Sequence, residues 1–373
     1  MGTIIDYIKE YGDYTFREKP LCEVDSLILC QFAYLKFEGL VPDIGEDAKA
    51  VDMQYLLSHK DDDVFFHATE WYRKKNAELF LAMANSKRFG TMKIENYVNQ
   101  VEVEKESQFS AITCRLGDGT YYIAYRGTDE NMIGWKEDLN LAFSEPVPGQ
   151  VMAVDYLNRV TEKIGQPFYI GGHSKGGNLA VYAAMNCDKP IQDRIIAIFN
   201  HDSPGFRPEV KEKCGYDKIE SKIRRTVPRS SLVGMLLDCE GSYRVVGSKS
   251  IGLAQHDPYS WRVEKDDFQI VEHVHSHTMF MDTALNDWIL SLNQEQMHIF
   301  IDTLFDVIQA SEADNMIDFL ANWKRSIQGI MAAVKNVDAD ALAVMNEIMK
   351  ALFDMLSQHA KEEFQSKYLK NKT

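Results

Sequence analysis

Residues 171–180 read GGHSKGGNLA and set one serine among glycines. The segment follows the apolar run Phe168-Tyr169-Ile170 and precedes Val181-Tyr182-Ala183-Ala184, so a strand hands over to a helix there. Gly172-His173-Ser174-Lys175-Gly176 fits G-x-S-x-G, the spacing of a nucleophilic serine on a sharp strand-to-helix turn. Such a turn strains the serine backbone and lifts its hydroxyl above the sheet, and flanking glycines remove Cβ atoms that would clash. The helix opening at Lys175 points unpaired N–H groups and its positive dipole end at the serine. The Lys175 backbone N–H is thereby placed as one oxyanion donor, whatever its side chain does. The chemistry implied is attack by a serine oxygen on a carbonyl carbon. The competing reading is a tight turn with no chemical role.

A serine nucleophile needs a base and a carboxylate that orients the base. In a strand–turn–helix architecture these follow in the order serine, acid, histidine, at the ends of later strands. The next strand candidate, Ile195–Asn200, runs into His201-Asp202-Ser203-Pro204-Gly205, which makes Asp202 the expected acid. Its competing role is an Asx-turn at the start of a Ser-Pro-Gly loop. Among ten histidines, His256 is the expected base, because Gln255-His256-Asp257-Pro258-Tyr259 forms a turn after the last strand candidate. His173 adjoins the serine but points elsewhere in such a turn and reads as structural. His273, His275 and His277 alternate, and on a strand they would share one face and suit a metal. No further ligand cluster of metal-site spacing accompanies them, so caps or surface positions are expected, with neither metal nor cofactor.

The elements that must hold these residues alternate between strand and helix. Strands are expected at Tyr121–Tyr125, Phe168–Ile170, Arg194–Asn200, Ile223–Val227 and Tyr243–Val246. Helices are expected around Trp135–Phe143, Met152–Ile164 and Lys175–Asn186. This order implies an α/β chain with a mainly parallel sheet, and places active groups at the carboxyl ends of its strands. Residues 1 to about 90 read as mainly helical, with apolar spacing at Val24–Phe37 and Glu70–Ala84, before a strand-rich stretch from Val98 to Cys114. Beyond Ser276 the pattern is helical only. Asn293–Gln296 and Ser311–Asp314 resemble capping boxes, the second opening a face of Met316, Leu320, Trp323 and Ile327. Leu342, Met345, Met349, Leu352 and Leu356 repeat that face, with methionine read as core filler. The expected division is a sheet domain at 1–274 and a helical region at 275–373, packed on the sheet domain or used for homo-oligomer formation.

Charge and composition remove other classes. A formal net charge of −15 argues against a nucleic-acid partner, and the basic run Lys222–Arg229 is too short to change that. No apolar run is long enough to span a bilayer, and the amino terminus lacks the apolar core of a signal peptide. The six cysteines show no paired spacing. A soluble cytoplasmic protein without a stable membrane anchor is expected.

Longer motifs carry a family resemblance. Tyr125-Arg126-Gly127-Thr128, then Trp135 and Asp138-Leu139, resemble the FRGT…W…DL signature of class 3 lipases in the α/β-hydrolase superfamily. GHSKGGNLA is similar to that family's GHSLGGALA. Together with the DSPGF segment at 202–206 and QHDPYSW at 255–261, these motifs resemble the bacterial Mbeg1-like family over roughly Leu21 to Phe305. The resemblance implies an α/β-hydrolase fold, with Ser174 as nucleophile, Thr128 as the second oxyanion donor and His256 as base. It implies a small-molecule or lipid ester substrate cleaved through an acyl-enzyme; with Asp202 taken from the strand order above, the expected triad is Ser174–Asp202–His256.

Three departures stand out. Lys175 replaces the usual leucine, Asn178 replaces a small residue, and Thr226–Leu232 lacks the carboxylate that class 3 lipases place there. The last favours Asp202, with Asp238 and Asp257 in reserve. The Lys175 departure and the missing carboxylate motivate a rival expectation, a weak or inactive hydrolase-fold binding or scaffold protein. The apolar segment Ser231–Leu237 reads either as an acyl groove or lid, or as a buried helix.

Overall fold

The computed structural model describes residues 1–309, apart from 47–48, 61–64, 67, 130–131, 142–145, 238–240 and 275, together with 343–344, 346–348 and 350. The amino-terminal part carries α1 (Ile4–Tyr11), α2 (Glu23–Phe32), the short strand β1 (Val51–Asp52), α3 (Met53–Ser58) and α4 (Glu70–Ala84). A long hairpin of β2 (Lys93–Glu102) and β3 (Ser107–Arg115) then leads to β4 (Tyr121–Tyr125). After α5 (Met132–Asn140) come α6 (Pro148–Lys163), β5 (Phe168–His173), α7 (Lys175–Asn186), α8 (Lys189–Arg194) and β6 (Ile195–His201). The series closes with α9 (Pro208–Cys214), β7 (Ile223–Pro228), β8 (Arg244–Val246), a hairpin of β9 (Val263–Glu264) and β10 (Asp267–Phe268), α10 (Ser276–Ser291) and α11 (Gln294–Gln309).

Strands β1 to β8 form one sheet whose spatial order follows the chain. β1 to β4 pair antiparallel, and β4 to β8 run parallel. Both faces are covered, as parallel strands require. Ile112, Cys114, Tyr122 and Ala124 pack with the α1, α2 and α4 side, whereas Phe109, Ala111, Ile123, Tyr125 and Ile170 pack with α6 and α7. Successive residues of β3 and β4 thus feed opposite cores, which is why neither strand shows a polar face.

The amino-terminal helices are fastened by one buried ion pair. Arg88 and Asp25 are both fully buried and meet through the guanidinium Nε and Nη2. Nη1 also donates to the Tyr14 and Lys19 carbonyls, and the group stacks over Phe16 at 4.2 Å. Each charge is compensated on several sides, without which burial would be costly.

The chain divides into two compact units. One comprises Met1–Asp129 with Pro148–Val274, and the other 130–147 with the described residues from 275 onward. Residues 130–147, expected within the sheet domain, therefore group with the helical unit. There Lys136 pairs with Asp302 of α11 at 2.7 Å and sits over the Phe305 ring. At the start of α11, Asn293 and Gln296 cap each other reciprocally, at 2.9 and 3.1 Å. The box at 311–314, the face at 316–327 and Leu342, Met345, Met349, Leu352 and Leu356 all lie outside the described residues, and so do the expectations placed on them.

Candidate active site

The elbow is built as the glycine spacing demands. Ser174 lies between β5 and α7 with φ +56° and ψ −137°, a conformation that costs a non-glycine residue and persists only where the surroundings enforce it. They do so through close backbone approach. A Cβ on Gly172 would stand 2.0 Å from the Gly176 carbonyl carbon, and one on Gly176 would stand 2.2 Å from the Tyr125 oxygen. Gly172→Ala is accordingly expected to destabilise by about 3 kcal/mol or more, since backbone rather than a flexible side chain must move. Gly165→Ala, whose Cβ meets nothing within 4 Å, is the matched control. Equal denaturation midpoints for the two variants would refute this account of the elbow.

The parallel ladder continues past the strand ends and sets the acid beside the serine. The Ser174 N–H donates to the His201 carbonyl at 3.0 Å, and the Asp202 N–H donates to the Thr226 carbonyl at 2.8 Å. Asp202 also has positive φ, +52°, and is fully buried. Its Oδ2 lies 2.6 Å from Nδ1 of His256, whose side chain is 30% exposed. Asp202 and His256, 54 residues apart, therefore form one pair at the carboxyl edge of the sheet. Among the described residues, neither the Ser174 hydroxyl nor His256 Nε2 has a hydrogen-bond partner.

Two supports of Asp202 were not foreseen. Its Oδ1 accepts from the Ser231 hydroxyl and from the Gly234 N–H, the latter at 3.1 Å. Gly234 is required for this contact, because a Cβ there would lie 2.3 Å from that oxygen. The segment Ser231–Leu237 is therefore neither a helix nor a detached lid: Val233–Met235 form one 3-10 turn that wraps the acid. A glycine and a serine within an apolar stretch were the only signal of it.

The backbone expected to supply oxyanion donors lies against the elbow. Gly127 closes on it, its virtual Cβ standing 2.6 Å from the His173 oxygen and 3.2 Å from the Ser174 Cβ, which brings the Gly127–Thr128 backbone alongside the serine. Lys175 is the first residue of α7, where backbone N–H groups have no acceptor within the helix. Its side chain is buried and runs to β3, where Nζ donates to the Gln108 carbonyl at 3.0 Å. Gln108 in turn donates through its amide to Asp129, which also pairs with Lys36 at 3.0 Å and Arg126 at 3.4 Å. Burial opposes ionisation of Asp129, but Arg126, Lys36 and the Gln108 amide outweigh it and hold the carboxyl well below the usual range. The loop that carries Thr128 is thus braced by charge on one flank and by the elbow on the other. Asn178, the other departure, is also spent on structure: it accepts from Gln150 and donates to the Pro204 and Gly205 carbonyls.

The remaining candidates stand apart. Asp257 accepts the Tyr259 N–H at 3.0 Å as the cap of a short turn, and Asp238 lies outside the described residues. His273 is exposed ahead of α10, His277 is in the first turn of that helix, and His275 lies outside the described residues. Among the described residues no group of three or more His, Cys, Asp or Glu is arranged to hold a metal ion.

A mainly parallel sheet covered on both faces, with a serine elbow leading from a central strand into a helix, is an α/β-hydrolase fold. Within that fold the chain belongs to the Mbeg1-like family, whose model matches residues 83–306. A search of curated protein sequences finds no match. Among solved structures the chain is similar to M37 lipase, at 14% identity over 58% of this chain and 70% of that one, with a TM-score of 0.37. It is also similar to Rhizomucor miehei lipase in a propeptide complex, at 18% identity over 42% and 57% of the two chains and a TM-score of 0.33. A fungal lipase–inhibitor complex matches at 14% identity over 65% and 79%, with a TM-score of 0.35.

Proposed function

We propose that this chain is a serine hydrolase that cleaves carboxylic esters by acyl transfer. The observation that carries the reading is the Asp202–His256 pair, at 2.6 Å, on the same sheet edge as a serine held in the elbow conformation. Asp202 accepts the Nδ1 proton, which leaves His256 Nε2 unprotonated and able to take the Ser174 proton. The alkoxide attacks the ester carbonyl carbon, and the negative charge on the carbonyl oxygen is met by the N–H groups of Thr128 and Lys175. The imidazolium returns its proton to the departing alcohol, and the acyl-enzyme remains. Water then attacks through the same histidine and releases the acid. The Ser174 to His256 hydrogen bond forms on substrate binding, since such bonds are often long or absent without substrate.

The motifs of the first subsection support an acyl ester, from a small molecule or a lipid, as substrate. The five described cysteines are free thiols, which supports a reducing, cytoplasmic setting, and no described helix is long and apolar enough to cross a membrane. Self-association through the C-terminal helices rests on segments largely outside the described residues.

The test is intact-mass analysis after treatment with a fluorophosphonate. One adduct on the wild-type protein and none on Ser174→Ala is expected. A folded wild-type protein that takes up no adduct would contradict the hydrolase reading and favour a binding or scaffold role.

A further inference from the structure

His173 occupies the position of the elbow that ester chemistry leaves idle. It ends β5, is 5% exposed, and places Nε2 at 2.9 Å from the backbone oxygen of His256. A carbonyl oxygen has no hydrogen to give, so the proton of this bond sits on Nε2 and Nδ1 is the bare nitrogen. Nδ1 is buried without a hydrogen-bond partner, so a second proton there would create a buried cation with nothing to receive its hydrogen. Burial, then the facing imidazoles of His256 and His201, hold the His173 pKa well below the ordinary histidine value.

The ring has a second contact with the same residue. The His173 and His256 rings meet with centroids 4.6 Å apart and planes tilted by 34°, and Trp261 stands edge-on to His173 at 6.3 Å. Trp261 in turn donates its indole N–H to the Gln255 carbonyl at 2.8 Å. Two consecutive carbonyls of the turn that carries the base are therefore anchored, one by Trp261 and one by His173. Asp202 fixes His256 Nδ1, but one hydrogen bond leaves the imidazole free to swing about that bond. The His173 ring removes this freedom.

We propose that His173 is a positioning residue for His256: a neutral imidazole protonated at Nε2, which anchors the His256 carbonyl and packs on its ring so that Nε2 of His256 faces Ser174. The proposal rests on the reading of His256 as the base. Its neutrality has a chemical purpose as well. When His256 becomes an imidazolium, a charged ring 4.6 Å away would oppose it, whereas a neutral one does not.

The experiment compares wild type, His173→Phe and His173→Gln, each labelled with 15N-histidine. Phe keeps a ring and loses the donor, while the Gln amide N–H reaches about as far as His Nε2. Imidazole 1H–15N spectra are recorded from pH 5 to 8, and fluorophosphonate labelling rates over the same range. In wild type His173 is expected as the Nε2–H tautomer without titration, alongside a sharp His256 Nδ1–H signal. His173→Phe is expected to broaden or lose that His256 signal, to shift the pH midpoint of labelling and to slow labelling roughly 10- to 100-fold, the cost of a misplaced catalytic group. His173→Gln should restore most of both.

An Nδ1–H tautomer or ordinary titration of His173 in wild type would overturn the proposal whatever the variants do. So would a His173→Phe protein with an unchanged His256 signal and labelling rate, or equal losses in Phe and Gln. Loss of the His256 signal in His173→Phe, rescued by Gln, in a protein whose wild type takes no label would support the anchor and contradict the hydrolase reading.

Discussion

Asp202→Asn is expected to fold normally and to react with a fluorophosphonate about 10⁴-fold more slowly than wild type, the loss seen when a triad acid is neutralised in place. The size of the effect follows from the way the carboxylate is held. Oδ1 receives two donors, the Ser231 hydroxyl and the Gly234 N–H, and Oδ2 receives His256. An asparagine can satisfy the Gly234 N–H only by keeping its amide oxygen at the Oδ1 position. Its NH₂ group then faces His256 Nδ1 and donates to it, which moves the imidazole proton to Nε2. A histidine protonated at Nε2 cannot take the proton of Ser174, so the serine loses its base although nothing has moved. The check is the second-order labelling rate beside a thermal melt. A folded Asp202→Asn protein that labels at the wild-type rate would remove Asp202 from the mechanism and return attention to Asp238.

The Asp202 carboxylate is held in part by residues that the sequence did not advertise. The elbow was legible because its requirement is local: two glycines, a serine and a helix start within a few residues, each excluded from other identities by backbone contact. Asp202 was legible as a strand-end residue, since a parallel sheet aligns such ends even when they are far apart in the chain, and His256 as the histidine of a turn beyond the last parallel strand. Ser231 and Gly234 were not. A backbone N–H is carried by almost every residue, so nothing in the spelling SSLVGMLL marks the one turned toward a carboxylate.

Lys175 shows the converse, a visible departure with a mundane explanation. Its stem is buried and its ammonium ends on the Gln108 carbonyl. In the amino-terminal part, α4 was readable to the residue from apolar spacing, whereas α1 has only 8 residues and too few turns to set a period. Arg88 with Asp25 escaped notice because their pairing spans 63 positions and each alone resembles a surface charge. The passage of residues 130–147 to the helical unit was hidden for the same reason, since the Lys136–Asp302 pair that marks it is set by tertiary placement.

The second large effect expected is a loss of stability in mild acid, beginning near pH 6.5 and set by two buried histidines. His201 is fully buried on β6, with Nε2 at 2.9 Å from the Ser26 hydroxyl and Nδ1 without a partner, among the rings of Phe199, Trp261 and Phe268. Burial takes its pKa from the ordinary 6.5 down to about 3. His173 shifts in the same direction for the reasons given above. Between pH 6.5 and about 3 the unfolded chain binds a proton at His201 that the folded chain refuses, so falling pH favours unfolding. Each such histidine contributes a slope of about 1.4 kcal/mol per pH unit, fully developed once the pH is well below 6.5.

Asp129 and other carboxylates with lowered pKa values lose their contribution only at more acid pH. Burial raises the pKa values of Glu23, Asp43 and Glu95, which then oppose the trend, so the histidine contribution is read from a variant. Urea midpoints from pH 6.5 to about 5 should fall with decreasing pH in wild type. They should fall less steeply in His201→Gln, which removes one titrating group while its amide reaches about as far as His Nε2 and keeps a hydrogen-bonding group toward Ser26. Parallel slopes in the two proteins would mean that His201 takes up its proton in the folded state, through an opening that admits water to the Ser26–Tyr122–His201 network. The direction of the wild-type slope has a consequence for the site as well. Because burial keeps His173 neutral while the fold survives, the imidazolium proposed for His256 would form beside an uncharged ring, and acid acts on that arrangement first through unfolding.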